Sequence, residues 1–128
     1  HIPLTKETHN SIDKNFYSKM KKGSLFITTS RGSIHNEYDL ETFLKNGHLS
    51  GAGLDVWEKE PPNSNHNLLK MQNVVATPHM AGVTTDSRKK MSEFVANQLL
   101  NILSGGVPER PVNKEILSLF KSKLSKII

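Results

Sequence analysis

The chain has 128 residues, enough for one compact domain or part of one but too few for two full domains. Hydrophobic residues make up 35% and charged residues 23%, which excludes a disordered chain, and the lack of cysteine excludes disulfide frameworks, thiol catalysis and thiolate metal sites. The net charge of +5 comes from dispersed lysines, with three arginines and 6% aromatic residues, so we expect no nucleic-acid partner. Because no apolar run reaches about 20 residues and no signal peptide opens the chain, we expect a cytoplasmic protein without a membrane partner.

The first third of the sequence predicts a helix, a strand and a second helix. Asp13 is a typical N-cap for a helix over 13–22, in which apolar residues recur every four positions and Gly23 supplies the stop. The apolar, β-prone run 24–28 predicts a buried strand. Asn36 then caps a second helix that a glycine closes.

The alternation of strands and helices continues. A strand over 50–56 is rich in small residues, which would allow some other group to approach its backbone closely, and a third strand over 73–77 is stopped by Pro78. A long helix begins at Thr84 or the next residue and ends at Gly105, with an apolar stripe formed by Met91, Phe94, Val95, Leu99, Ile102 and Leu103. This alternation predicts an α/β fold with a parallel sheet and a long C-terminal helix.

The tail after Pro111 predicts a further, amphipathic helix. Its apolar side is formed by Ile116, Leu117, Phe120, Leu124, Ile127 and Ile128, and lysines favour the other side. Such a helix can lie on an anionic membrane, but we favour packing against the rest of the fold or a frayed end.

Charged and titratable side chains follow each of the three predicted strands. Arg31 follows the first, Asp55 and Glu60 follow the second, and His79 follows the third. Ligands bind beyond the carboxyl ends of strands in open parallel sheets, so one edge of the sheet is the predicted site. Each residue alone has an ordinary structural explanation, such as a surface charge, a loop cap or a local hydrogen bond.

The residue types constrain the chemistry of such a site. His79 can hold or release a proton near neutral pH, and a carboxylate such as Glu60 beside it would orient the ring. Arg31 offers a planar fork that matches a substrate carboxylate, so the set suits a 2-hydroxy or 2-oxo acid. The sequence contains no G-x-G-x-x-G turn and no G-x-S-x-G elbow, and the six histidines show no metal-ligand spacing, so no metal is expected.

Several motifs resemble the D-isomer-specific 2-hydroxyacid dehydrogenases, closest to the phosphoglycerate, glycerate and glyoxylate/hydroxypyruvate branch. They lie, in order, at 1–8, 20–23, 30–32, 51–61 and 77–82, and the match extends to about Asn113. The resemblance implies a nicotinamide-dependent enzyme with two Rossmann-like domains, in which this chain supplies the second half of the NAD-binding domain over 1–83. Residues 84–113 would then be a long helix and a segment returning to the substrate domain, and 114–128 a basic tail.

The resemblance also implies residue roles. Arg31 would bind the substrate carboxylate, His79 would exchange the hydroxyl proton, and Glu60 would pair with His79. Asp55 would bond the nicotinamide carboxamide. The remaining positions that match residues near the cofactor are Pro3, Thr29, Ser30, Ala81 and Gly82, in addition to Arg31 and His79. The implied cofactor is NAD, with NADP as the alternative, the substrate is a small 2-hydroxy or 2-oxo acid, and a homo-oligomer is expected.

The chain also departs from the family pattern. Thr28 and Ser30 replace the usual Asn and Ala, and His35 replaces an apolar residue before the second helix. The family's phosphate-binding turn would lie before His1, so we expect a longer gene and a 128-residue chain that is inactive alone. The alternative is a truncated, non-catalytic relative kept for dimerisation or partner binding, as in the corepressor branch of the superfamily.

Overall fold

The computed structural model describes residues 1–124, and it divides into two compact units, His1–Gly82 and Val83 onward. The first unit contains helix α1 (Lys14–Lys19), strand β1 (Ser24–Thr28), helix α2 (Glu37–Lys45), strand β2 (Leu49–Leu54) and strand β3 (Val74–Ala76). The second contains helices α3 (Thr85–Leu103) and α4 (Leu117–Leu124). Ile127 and Ile128 of the predicted tail helix lie outside the described residues. Among residues 1–124, no helix is long and apolar enough to cross a bilayer.

The three strands form one parallel sheet in the order β1-β2-β3, which confirms the predicted α/β class. Gly53 of the central strand β2 is paired with Ile27 of β1 on one side and with Val75 of β3 on the other. A Cβ on Gly51 would lie 2.9 Å from the carbonyl oxygen of Asn73, so the small residues of β2 do allow a close backbone approach.

One face of the sheet carries the core of the first unit. Helices α1 and α2 and the loop before β3 cover this face and bury Tyr17, Leu40, Leu44, Leu49, Ala52, Leu54, Trp57 and Leu68. The opposite face exposes Leu25, Ile27 and Val75. A parallel sheet is normally covered on both faces, so this second face is an apolar surface that the first unit itself leaves open.

The predicted helix caps are confirmed, but α1 is shorter than expected. The carboxylate of Asp13 accepts the N–H groups of Asn15 and Phe16, and the amide oxygen of Asn36 accepts that of Asp39. α1 ends at Lys19 instead of residue 22 because Met20 is already extended. Gly23, with φ +85°, serves the turn into β1, so its left-handed backbone does not cap the helix.

The long helix of the second unit begins and ends as predicted. Thr84 caps α3 in a reciprocal arrangement with Ser87, and Gly105, with φ +82°, follows the helix end. α3 buries none of its residues, and its apolar stripe stays exposed at Met91, Phe94, Val95, Leu99 and Leu103. The predicted tail helix is present as α4, but Ile116 belongs to a 3-10 turn over Lys114–Ile116 that precedes it.

Candidate active site

The carboxyl ends of the three strands meet at one edge of the sheet, because all three run in the same direction. β1 is followed by Arg31, β2 by Asp55, and β3 by the segment 77–82 that carries His79. Every residue predicted for the site therefore lies in the first unit, His1–Gly82. Open α/β sheets bind their ligands at this edge.

His79 and Glu60 form a direct pair at this edge. Nδ1 of His79 lies 2.7 Å from Oε2 of Glu60, and both side chains remain partly open to solvent. The hydrogen bond from His79, followed by the Trp57 backbone N–H and the charge of Arg31, holds the pKa of Glu60 below its usual value. An ionised carboxylate only accepts, so the proton of this pair sits on Nδ1. Nε2 is then the ring nitrogen left for proton exchange.

Asp55 anchors the segment that carries His79. Its Oδ1 accepts the Thr77 hydroxyl at 2.5 Å and the Met80 N–H at 2.8 Å, and its Oδ2 accepts the Ala81 N–H at 2.9 Å. Burial opposes ionisation of this carboxyl, but the three hydrogen bonds outweigh it and keep the pKa of Asp55 below its usual value.

The backbone of His79 is strained, with φ +53°, a left-handed conformation that is uncommon for a residue with a side chain. Such a conformation costs about 1 kcal/mol or more and persists only where the surroundings enforce it. The bonds from Thr77, Met80 and Ala81 to one buried carboxylate enforce it from both sides. The result is a fixed direction for the imidazole.

Arg31 leaves β1 in an extended conformation and precedes a 3-10 turn over Gly32–Ile34. Its Nη1 donates to the carbonyl of Ser30 at 2.7 Å, and the guanidinium is exposed. Gly32 is tightly packed, because a Cβ there would lie 1.8 Å from the carbonyl oxygen of Trp57. The charge of Arg31 is close enough to Glu60 to lower the pKa of that carboxyl.

Two clefts collect the other predicted residues. One is lined by residues 1–4 together with Thr29, Ser30 and Arg31, and the Thr29 hydroxyl lies 3.1 Å from Nδ1 of His1. Pro3 thereby lies in the same cleft as the residues that follow β1. The second cleft lies along the strand ends, and its lining includes Thr28, Thr29, Gly53, Asp55, Met80 and Ala81. Gly82 is exposed and closes the first unit.

Sequence reasoning assigned no role to three residues that shape the site. The Thr77 hydroxyl donates a hydrogen bond to Asp55, and the backbone N–H of Trp57 donates one to Glu60. Gly32 has no side chain, which leaves room for the backbone of Trp57. The available signals were local: a Thr immediately before Pro-His, an aromatic residue two positions after Asp55, and a Gly after Arg31.

Comparison with known proteins gives a consistent result. Residues 1–81 match the family model described as "D-isomer specific 2-hydroxyacid dehydrogenase, NAD binding domain". Over 128 residues, the chain is 42% identical to the glyoxylate reductase of Thermofilum pendens, and this match covers 100% of the chain and 38% of that relative. The chain therefore spans little more than a third of the length of this relative.

Solved structures share the fold. The NAD-complexed D-isomer specific 2-hydroxyacid dehydrogenase of Lactobacillus delbrueckii has a TM-score of 0.80 at 33% identity, covering 88% of this chain and 38% of its own. The enzyme of that name from Xanthobacter autotrophicus, in complex with NADPH, has a TM-score of 0.75 at 29% identity, covering 88% of this chain and 46% of its own.

Proposed function

Because the chain belongs to the D-isomer-specific 2-hydroxyacid dehydrogenase family, we propose that it supplies the nicotinamide side of an active site that interconverts a 2-hydroxy acid and a 2-oxo acid. The cofactor, when bound, supplies or accepts the hydride. The residues of this chain bind the substrate carboxylate, exchange the hydroxyl proton and orient the reactants. The observation that carries the proposal is the pair formed by His79 and Glu60 at the strand edge that also bears Arg31.

His79 is the proposed acid and base. During reduction, its protonated Nε2 donates a proton to the carbonyl oxygen as that oxygen becomes a hydroxyl, and during oxidation the neutral Nε2 takes the proton back. Glu60 accepts the Nδ1–H of His79, whose nitrogen lies 2.7 Å from Oε2, and this leaves Nε2 for the proton transfer. Glu60 thus acts through His79.

Arg31 is the proposed substrate anchor. A guanidinium binds a carboxylate through two parallel hydrogen bonds, which orients the neighbouring carbonyl carbon. The exposed Arg31 donates one hydrogen bond to its own chain, at the Ser30 carbonyl, and its other N–H groups suit this bidentate contact.

The cleft at the strand ends fits a nicotinamide ring. Gly53 carries no side chain that would fill the cleft, and Asp55 keeps acceptor capacity on Oδ2, which receives one hydrogen bond in the described structure. A carboxamide needs such an acceptor for its NH₂ group. The proposed cofactor contacts are Pro3, Thr29, Ser30, Arg31, Asp55, His79, Ala81 and Gly82. The cofactor is NAD or NADP, since similar structures are complexed with NAD and with NADPH.

Relatives named glyoxylate reductase and glyoxylate/hydroxypyruvate reductase indicate the substrates to try first. We propose to replace the matching segment of the Thermofilum pendens enzyme with this chain and to assay NADH- and NADPH-dependent reduction of glyoxylate and hydroxypyruvate. The chimera is expected to be active. His79→Gln should lower its kcat by about 10²- to 10⁴-fold, whereas the exposed His9→Gln should leave kcat unchanged. A folded chimera that binds NADH but reduces neither acid would contradict the proposal and favour a non-catalytic relative.

We also propose that the chain forms a homo-oligomer. The apolar stripe of α3 is exposed at Val95 and Leu99, among others, and exposed stripes of this kind mark association surfaces. Sedimentation velocity is expected to show association that Val95→Gln/Leu99→Gln weakens and the exposed Lys89→Gln does not. A monomer at all concentrations would contradict this.

A further inference from the structure

Trp57 is the single tryptophan of the chain and lies directly behind the proposed site, with 4% of its surface exposed. We infer that Trp57 is a positioning residue that holds Glu60 and the end of β3 in register, so that Glu60 pairs with Nδ1 of His79. The inference rests on the proposed function only for its consequence in catalysis.

The first contact is made by the backbone. The N–H of Trp57 donates to Oε1 of Glu60 at 3.0 Å, and Oε2 of the same carboxylate accepts from His79 at 2.7 Å. The two oxygens are therefore used by different partners. Fixing Oε1 limits rotation of the carboxylate and presents Oε2 to the imidazole.

The second contact is made by the side chain. The indole N–H of Trp57 donates to the carbonyl of Thr77 at 3.3 Å, two residues before His79. Trp57 thus bonds Glu60 directly and the backbone two residues before His79. Because both bonds start from one residue, we expect a shift of Trp57 to change the distance between Glu60 and His79.

The ring of Trp57 is supported from the side. His66 packs edge-on against it with ring centroids 5.6 Å apart. Nε2 of His66 lies 3.0 Å from a Glu37 oxygen, while its Nδ1 accepts the N–H of Leu68 at 3.3 Å. This second imidazole–carboxylate pair fixes the His66 ring, so the loop before β3 and α2 brace the indole together.

The third contact links Trp57 to the arginine. Its carbonyl packs against Gly32, where a Cβ would lie 1.8 Å from the oxygen. Gly32 follows Arg31 directly, so the backbone that presents the guanidinium rests on Trp57. Trp57 therefore touches Glu60 itself and the immediate neighbourhoods of Arg31 and His79.

The test measures the tautomer of His79 by ¹⁵N NMR on the 128-residue chain, with His79→Gln used to assign the signal. Two changes remove the indole N–H: Trp57→Phe, and biosynthetic replacement of tryptophan by β-(3-benzothienyl)alanine, which keeps the ring shape and alters only residue 57. Glu60→Gln gives the reference for a broken pair. The control is Tyr17→Phe, since Tyr17 is a buried core aromatic whose hydroxyl has no partner among the described residues.

In the unchanged chain we expect His79 to be held as the Nδ1–H tautomer. Removal of the indole N–H should lower the ratio of the Nδ1–H to the Nε2–H form by about fivefold, the effect of one lost net hydrogen bond, and shift the signal toward that of Glu60→Gln. Tyr17→Phe should leave the ratio unchanged. If Trp57→Phe does not fold, the isosteric replacement carries the test alone. An unchanged ratio in a folded protein without the indole N–H would overturn the inference.

The consequence in catalysis is measured separately in the chimera. There, loss of the indole N–H should lower kcat more than it raises KM, because the substrate anchor Arg31 is kept while proton transfer is impaired. A tautomer shift in the chain combined with an inactive parent chimera would refute the proposed function and leave the positioning role intact. An active chimera, combined with a His79 tautomer that does not change when the indole N–H is removed, would refute the positioning role and leave the proposed function intact.

Discussion

The buried histidine of the core makes the stability of the fold depend on pH. His35 is 1% exposed, and neither of its ring nitrogens has a hydrogen-bond partner among the described residues. It packs against Phe26 at a centroid distance of 5.7 Å. Burial without a partner disfavours the charged ring and lowers the pKa of His35 from 6.5 to about 4.

The direction of the effect follows from proton binding. Between pH 6.5 and about 4, the unfolded chain protonates at His35 and the folded chain does not, so the unfolded state gains protons. The free energy of unfolding therefore falls as the pH falls through this window, by about 1.4 kcal/mol per pH unit and about 3 kcal/mol in total. Above the window, the His35 contribution is constant.

The assay is urea unfolding of the chain and of His35→Leu at several values between pH 7.5 and 4. The difference in the free energy of unfolding between the two proteins isolates His35, because the carboxylates titrate in both. His35→Leu is expected to be the more stable protein at every pH, with its advantage growing by about 3 kcal/mol toward pH 4. The exposed His9→Leu is the matched control and should show no such growth. A difference that stays constant with pH would refute the reasoning.

Three further predictions concern the site. Asp55→Asn should lower the free energy of unfolding by about 2 kcal/mol in urea denaturation, because an amide NH₂ group cannot accept a backbone N–H that the carboxylate now accepts. The His79–Glu60 pair should persist at neutral pH and break only as the pH falls below the usual pKa of Glu60, 4.5, since that pKa is lowered; a ¹⁵N titration of His79 measures this. Gly32→Ala should lower the free energy of unfolding by about 3 kcal/mol because its Cβ meets a carbonyl oxygen at 1.8 Å, whereas Gly82→Ala, whose Cβ meets nothing within 4 Å, should be neutral; thermal unfolding compares them.

Local signals predicted the architecture well. The strand at 24–28 has the expected bounds, and Asp13, Asn36 and Thr84 are the expected helix caps. These features depend on neighbouring residues: a short side chain that accepts nearby N–H groups, or an apolar run between glycines. Other bounds differ, since β2 covers Leu49–Leu54 instead of 50–56 and β3 covers Val74–Ala76 instead of 73–77. α1 ends early because the N–H of Gly23 donates to the carbonyl of His48 in the turn before β1, a contact that the local pattern does not encode.

The strand edge that holds the site residues and the placement of Glu60 beside His79 were predictable, but the partners of Asp55 and Trp57 were not. Parallel strands place Arg31, Asp55 and His79 at one edge whatever the details of the loops. The hydrogen bonds of Asp55 join residues more than twenty positions apart, and those of Trp57 reach both Glu60 and the end of β3. Such contacts depend on how the loop between β2 and β3 packs, and the hydrophobic periodicity of the sequence carries no information about that packing.

The hydrogen bonds that orient the proposed acid–base pair are internal to one short stretch of the chain. Glu60 is held by Trp57, His79 by Glu60, and the backbone after His79 by Asp55, so residues 55–81 supply every contact in this sequence of bonds. The geometry at Nδ1 is therefore set by the first unit itself, before a substrate or cofactor arrives. A proton-transfer group fixed in this way has little reorganisation left to undergo in the reaction. This argues that the pair keeps its geometry when the chain is placed in the longer framework of a relative.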